Sequence, residues 1–408
     1  MRESSPPSQV FPSLVPLFLA TAATLPAIAV RLRIVEAPVV VETVLFGAAI
    51  MASAFILTWT AEVAQLDISQ TLAIAALALI AVLPEYAVDL YLAYCAGRGE
   101  EGCVQLAVAN MTGANRLLIG IGWAAVVLVY WWKTRETKVV LRPQQRTDVG
   151  FLFLATLWAF TIPLRGQLSF IDLLVLGGLF VAYVMRAARE EVGEPELVGT
   201  AASLALLPKN RRRAAIVALF LFGAAVILGS AEPFAEGLRE VGSEFGISEF
   251  FLIQWLAPLA SESPEMIIAL IFTLRLKAGV GLGALISSKV NQWTLLVGTL
   301  PLVFSLAGAA GGGLLTPMPL DATQAKEVFL TAAQSVFAVA VIASLSVSRL
   351  EAVTLLVLFL GQFIFQHLHV QFALAYLVLF LGMVAFGPGV RANLVDSIKH
   401  VLRREARV

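Results

Sequence analysis

Apolar runs of about twenty residues recur along the whole chain, separated by short charged or Gly/Pro-rich breaks. A helix needs about 20 predominantly apolar residues to cross the hydrocarbon layer. The pattern therefore predicts about twelve membrane helices, over 11–30, 36–60, 70–96, 103–131, 149–164, 168–186, 213–236, 248–274, 279–307, 327–347, 350–366 and 369–388. The tight breaks near 166, 349 and 368 also admit a count of eleven. The first run has no A-x-A-type cleavage site and reads as a retained span. The fold class is all-α, a polytopic membrane protein.

Composition narrows the function classes. Of 408 residues 59% are hydrophobic and 14% charged, against about 25% charged in an average soluble domain. That excludes a nucleic-acid-binding module, a disulfide-built secreted domain and a soluble Rossmann enzyme. Cys95 and Cys103 bracket a short loop, match no metal or redox spacing, and are expected reduced and passive. The 28 basic residues divide unevenly over the predicted layout: 20 fall on the side of the amino terminus, six on the other, and Arg116 and Lys289 lie inside apolar segments. Lys/Arg excess marks the cytoplasmic face. An integral plasma or inner-membrane protein with both termini cytoplasmic is expected.

The chain also repeats itself. Ile-Leu-Thr-Trp-Thr-Ala-Glu ending at Glu62 matches Ile-Leu-Gly-Ser-Ala-Glu ending at Glu232, and each is followed by a Pro-Glu pair, Pro84-Glu85 and Pro264-Glu265. Five helices per unit turn the second unit upside down relative to the first. The expected organisation is an extra helix in 1–33, a first inverted repeat in 34–187, a basic linker in 188–212, a second repeat in 213–366, and an extra helix with a basic tail in 367–408. Inverted repeats with interrupted helices mark secondary transporters, whose site lies mid-bilayer between the repeats.

Glu85 and Glu265 carry the chemistry. A carboxylate inside the bilayer is costly unless it binds something, and the preceding proline removes an N–H and frees backbone carbonyls. One such glutamate could be a protonated helix linker; two at matching repeat positions point to a site. With Ser261, Glu262 and Ser263 beside Glu265, the pair makes a hard oxygen site suited to Na⁺, Ca²⁺ or H⁺.

These motifs resemble the calcium/cation antiporter superfamily, the sodium/calcium exchangers and their prokaryotic relatives. That family carries a G-T-S-x-P-E-type and then a G-N-x-x-G-S-N-x-x-N-type motif in each repeat. Here they read Ala-Val-Leu-Pro-Glu (81–85) with Ala-Asn-Met-Thr-Gly-Ala-Asn (109–115), and Ser-Glu-Ser-Pro-Glu (261–265) with Gly-Ala-Leu-Ile-Ser-Ser-Lys (283–289). The resemblance spans about 34–366 and leaves one helix at each end outside the family's ten-helix core. It implies alternating access around Glu85 and Glu265 as cation-binding, metal-ligating carboxylates, with Asn115 as an amide ligand and Ser261 as a hydroxyl ligand. Ala81 and Val82 replace expected hydroxyls, Leu118 and Gln292 stand for the family's next Asn, and Lys289 stands where an Asn matches Asn115. Asp89, Glu262 and Asn110 add polar groups that modulate or join the site.

Lys289 either places its ammonium inside the site or snorkels away or pairs with Asp89 or Glu262. Arg116 is expected to pair with a nearby acid. His367 and His369 read as solvated, Trp59, Tyr130, Trp131 and Trp132 as interfacial anchors, Gly311–Gly313 as a flexible connection, and Arg211–Arg213 as a topogenic anchor. The reading is a cation antiporter of the sodium/calcium exchanger type, the alternative being a monovalent cation/proton antiporter with Lys289 as a tethered charge. An intramembrane enzyme would need a buried nucleophile–base pair or metal-ligand cluster, which the sequence does not offer. Expected partners are inorganic cations and membrane lipid, not nucleic acid; no cofactor is expected besides the transported Ca²⁺, Na⁺ or H⁺.

Overall fold

The computed structural model describes residues 13–67, 82–189, 197–308, 315–387 and 389–402. Long helices follow one another: α1 Val15–Arg31, α2 Val39–Ala64, α3 Leu83–Gly97, α4 Cys103–Thr134, α5 Gln145–Arg165, α6 Phe170–Ala187, α7 Lys209–Phe245, α8 Glu249–Leu274, α9 Ala278–Gly308, α10 Ala322–Ile342, α11 Arg349–Ile364, α12 His369–Phe386 and α13 Val390–Leu402. Nine helices among the described residues are long and apolar enough to cross a membrane; α1 is apolar but shorter. Residues 70–81 of the third predicted span, Ala81 of its motif, and Gly311–Gly313 lie outside the described residues. α7 outruns its predicted bounds at both ends. α13 has no apolar run of spanning length and escaped the hydropathy reading; it packs on α5.

Two short antiparallel pairings tie connections together. Lys138–Val140 pairs with Ser346–Ser348, and Gln167–Leu168 with Met318–Pro319. α2 and α7, the opening helices of the two repeats, lie along each other, and α1 covers α2.

Local chemistry explains the special turns. Pro84 begins α3, where a missing N–H costs nothing. Pro258 and Pro264 sit inside α8 and deprive the carbonyls of Gln254 and Ala260 of helical partners. The Gln254 carbonyl finds room against Gly113 of α4, where a Cβ would lie only 1.9 Å from that oxygen. α4 and α9 each widen into a π-turn, at Leu118–Trp123 and Gln292–Leu296. Leu118 and Gln292 occupy matching repeat positions, so the bulge belongs to the repeat. Such turns concentrate at functional sites.

Three expectations change. Cys95 and Cys103 are not reduced: a disulfide joins them across the α3–α4 loop, with Cα atoms 5.8 Å apart. His367 is exposed as expected, but His369 is buried, its Nδ1 2.6 Å from Glu327 Oε1 and its Nε2 3.0 Å from the Gln362 carbonyl. Two of the three anchor arginines have a structural partner: Arg212 donates to both oxygens of Asp67, at 2.7 and 3.1 Å, and Arg213 to one at 3.2 Å. The hydrogen bonds from Arg212 hold the Asp67 carboxyl below its usual range.

Replacing Gly113 by Ala forces α4 and α8 apart. Overpacking of this kind costs about 1–3 kcal/mol, so the thermal midpoint of purified Gly113→Ala protein is expected to drop; an unchanged midpoint would show that the two helices do not need this contact.

Candidate cation-binding site

The two repeat motifs meet in the interior of the helix bundle, where α3, α4, α8 and α9 bring their polar residues together. Glu85 is buried at the start of α3, and no hydrogen-bond donor among the described residues reaches either of its oxygens. Its carboxyl lies against that of Glu262 on α8 and within electrostatic reach of Asp89 and Glu265. Asp89 is one turn along α3; Asn110 of α4 donates to its Oδ1 at 2.8 Å, leaving Oδ2 without a partner. Gln292, at the opening of the α9 π-turn, donates to Glu262 Oε1 at 2.7 Å and leaves Oε2 free. Asn110 and Gln292 thus fix one oxygen each and turn the other inward. Burying oxygens without donors costs free energy unless a cation or proton satisfies them.

Glu265 differs from Glu85 in access. It lines a cavity of about 320 Å³ together with Ser288, Asn291, Thr58 and Glu62. A second cavity of about 280 Å³ shares Glu62 and continues to Val198–Thr200 of the linker and to Arg275. The space reaching Glu265 therefore leads to the face that carries the linker. Toward the opposite face the helices are tied together: Arg31 pairs with Glu232 at 2.9 Å, Tyr91 donates to Glu236 at 2.8 Å, and Arg239 bridges Glu236 and Glu249.

Lys289 does not snorkel. It is fully buried, its Nζ donates to Asn115 Oδ1 at 2.6 Å, and it lies 4.3 Å from the centre of the Trp293 ring. It pairs with neither Asp89 nor Glu262 directly, but its charge is within electrostatic reach of Glu85 and Glu262. The Asn115 amide is thereby spoken for: its oxygen holds Lys289 and its nitrogen donates to the Met111 carbonyl at 2.7 Å. Ser261 turns its hydroxyl proton back to the carbonyls of Ala257 and Pro258, both at 3.3 Å, so only its lone pairs face outward.

Arg116 belongs to a neighbouring network. Its Nη2 is 2.5 Å from Glu327 Oε2 on α10, its guanidinium stacks 5.2 Å from the Trp255 ring, and Gln254 donates to the same Glu327 oxygen at 2.8 Å. With His369 on the other oxygen, Glu327 ties α4, α8, α10 and α12 together. Sequence reasoning missed Glu327 as Arg116's partner because the two are separated by 211 positions. It passed over Gln292 as a mere departure, and read Glu62 only as a repeat marker.

The chain is similar to known proteins in both sequence and fold. The sodium/calcium exchanger protein family matches residues 39–188 and 215–368. Among solved structures, the crystal structure of the H⁺/Ca²⁺ exchanger CAX superposes with a TM-score of 0.90 at 42% identity, over 94% of this chain and 96% of that one. The structure of native YfkE superposes at 0.59 with 16% identity, over 90% and 99%. The sodium-calcium exchanger NCX_Mj superposes at 0.51 with 18% identity, over 79% and 97%; these last two share the fold. No curated protein sequence matches the chain at a significant level. With both repeats covered by one family's signature, the chain belongs to the sodium/calcium exchanger family of membrane cation antiporters.

Proposed function

We propose that this protein exchanges Ca²⁺ for protons by alternating access around Glu85 and Glu265. The observation that carries this is the ammonium of Lys289 on the Asn115 amide oxygen, beside carboxylates whose free oxygens have no donors. The resemblance to sodium/calcium exchangers implies a neutral amide ligand in each repeat. Here one such amide is occupied and Lys289 stands in place of its repeat counterpart. What remains is acidic: Glu85, Asp89, Glu262 and Glu265 face a single ammonium. In a buried site that excess is offset by protons or by a divalent cation, and the two exclude one another. The similarity to a proton/calcium exchanger at 42% identity supports the same choice of ions.

The membrane orientation follows from the basic residues. We place the linker face and both termini in the cytoplasm. The disulfide between Cys95 and Cys103 lies at the opposite end of α3 from that face, on the oxidising side under this topology. Reporter fusions at both ends should give cytoplasmic signals, and a membrane-impermeant reductant should reach the disulfide only from outside. An external signal from either terminus would reverse the orientation.

Purified protein in liposomes should take up Ca²⁺ when a pH gradient is imposed and remain indifferent to a Na⁺ gradient. Sodium-driven uptake without a pH effect would overturn the proton reading. Glu85→Gln and Glu265→Gln should each weaken Ca²⁺ binding about 100-fold, because breaking a buried charge contact costs about 3 kcal/mol. Wild-type affinity in either variant would remove that residue from the site.

Lys289→Asn should free Asn115 and remove a competing positive charge. Its Ca²⁺ affinity at alkaline pH, where the acids are ionised, is expected to rise, and its pH profile to move toward higher pH, since the carboxylates lose an ammonium that favours their ionised form. An unchanged affinity and profile would mean that Lys289 serves only to hold α9 against α4.

A further inference from the structure

Glu62 is a half-buried acid that the central site does not use. It ends the motif that the second repeat mirrors at Glu232, two residues before the end of α2. Its Oε2 is buried, and no hydrogen-bond donor among the described residues reaches it. No basic side chain among the described residues forms an ion pair with it, although Arg275 lines the outer of the two cavities it borders. Both cavities on the linker side are lined by Glu62: the inner one shares it with Glu265, and the outer one with Arg275 and the linker. Its repeat counterpart stands in the opposite situation, since Glu232 is held by Arg31 at 2.9 Å on the closed face.

We propose that Glu62 forms a second, peripheral cation site at the linker-face mouth, taking a divalent cation and passing it to Glu265. The proposal rests on the central-site reading above. A carboxylate that no basic side chain pairs with, set in an apolar-walled passage, concentrates cations at its own position. Thr58 lies one helical turn earlier on α2 and lines the inner cavity with Glu62 and Glu265, so hydroxyl and carboxylate oxygens mark a path between the two acids. A cation that reaches Glu62 has no ammonium to displace, unlike one at Glu85, where the charge of Lys289 is felt. The peripheral site therefore loads more readily and binds more weakly. The inverted repeat assigns the same duty on the other face to Glu232, once its partner Arg31 withdraws.

The test is face-specific. The full-length protein in membrane vesicles of either orientation is assayed for Ca²⁺ transport with Ca²⁺ applied to one face at a time. Glu62→Gln should raise the KM for Ca²⁺ presented to the linker face by about tenfold, the low end of what a charged cleft supplies, and leave the KM on the other face at its wild-type value. An equal rise on both faces, or none on either, would overturn the proposal. Glu62→Cys gives a second measurement should the Gln variant fail to accumulate. Reaction with a carboxylate-bearing methanethiosulfonate added at the linker face restores the negative charge and should restore the KM; a KM that the reagent does not change would equally overturn the proposal. Glu265→Gln is run alongside: normal transport in that variant defeats the central site, whereas face-independent KM values in the Glu62 variants defeat the mouth site alone.

Discussion

Everything in this molecule answers to the cost of holding carboxylates where water cannot reach them. A buried ionised carboxylate without partners is too costly to persist and must be neutralised by a proton, a cation or a basic side chain. Four acids, Glu85, Asp89, Glu262 and Glu265, gather in the bundle interior, and the ammonium of Lys289 is within electrostatic reach of Glu85 and Glu262. Their excess charge has to be met from outside the fold. Under the function proposed above, that requirement turns a structural liability into a transport site. Asn110 and Gln292 hold one oxygen each of Asp89 and Glu262, so the remaining oxygens are aimed before any ion arrives.

The surrounding fold keeps this cluster rigid on one side and accessible on the other. Arg116, Glu327, His369 and Gln254 satisfy one another and pin four helices, among them α12, which lies outside the two repeats. The π-turns of α4 and α9 begin just after the segments that carry Asn115–Arg116 and Lys289–Asn291, and such turns concentrate at functional sites. Cavities approach Glu265 from the linker face, while ion pairs at Glu232 and Glu236 tie the helices on the other. An inverted repeat makes the reverse arrangement available to the same sequence by exchanging the roles of its halves.

Much of this was legible in the sequence. Run length gave the helices, since the bilayer imposes a fixed length on each, and the paired Pro-Glu motifs singled out the central acids. Three kinds of feature were not. Partners far apart in sequence, such as Arg116 and Glu327, leave no local pattern. The burial of His369 depends on how α12 docks, which its own apolar run does not specify. Cys95 and Cys103 have a spacing that fits a passive loop as well as a crosslink, and only the fold sets their Cα atoms 5.8 Å apart. α13 was missed for a simpler reason: it is amphipathic and too short to register as a span.

The central claim is that protons and a divalent cation neutralise the same buried acids in turn. Calorimetric titration of the purified protein with Ca²⁺, in buffers of equal pH and different ionisation enthalpy, measures it most directly. If the account is right, the binding heat varies with the buffer and corresponds to net proton release for each Ca²⁺ bound. Binding heats that are the same in every buffer, with Ca²⁺ still bound, would contradict it.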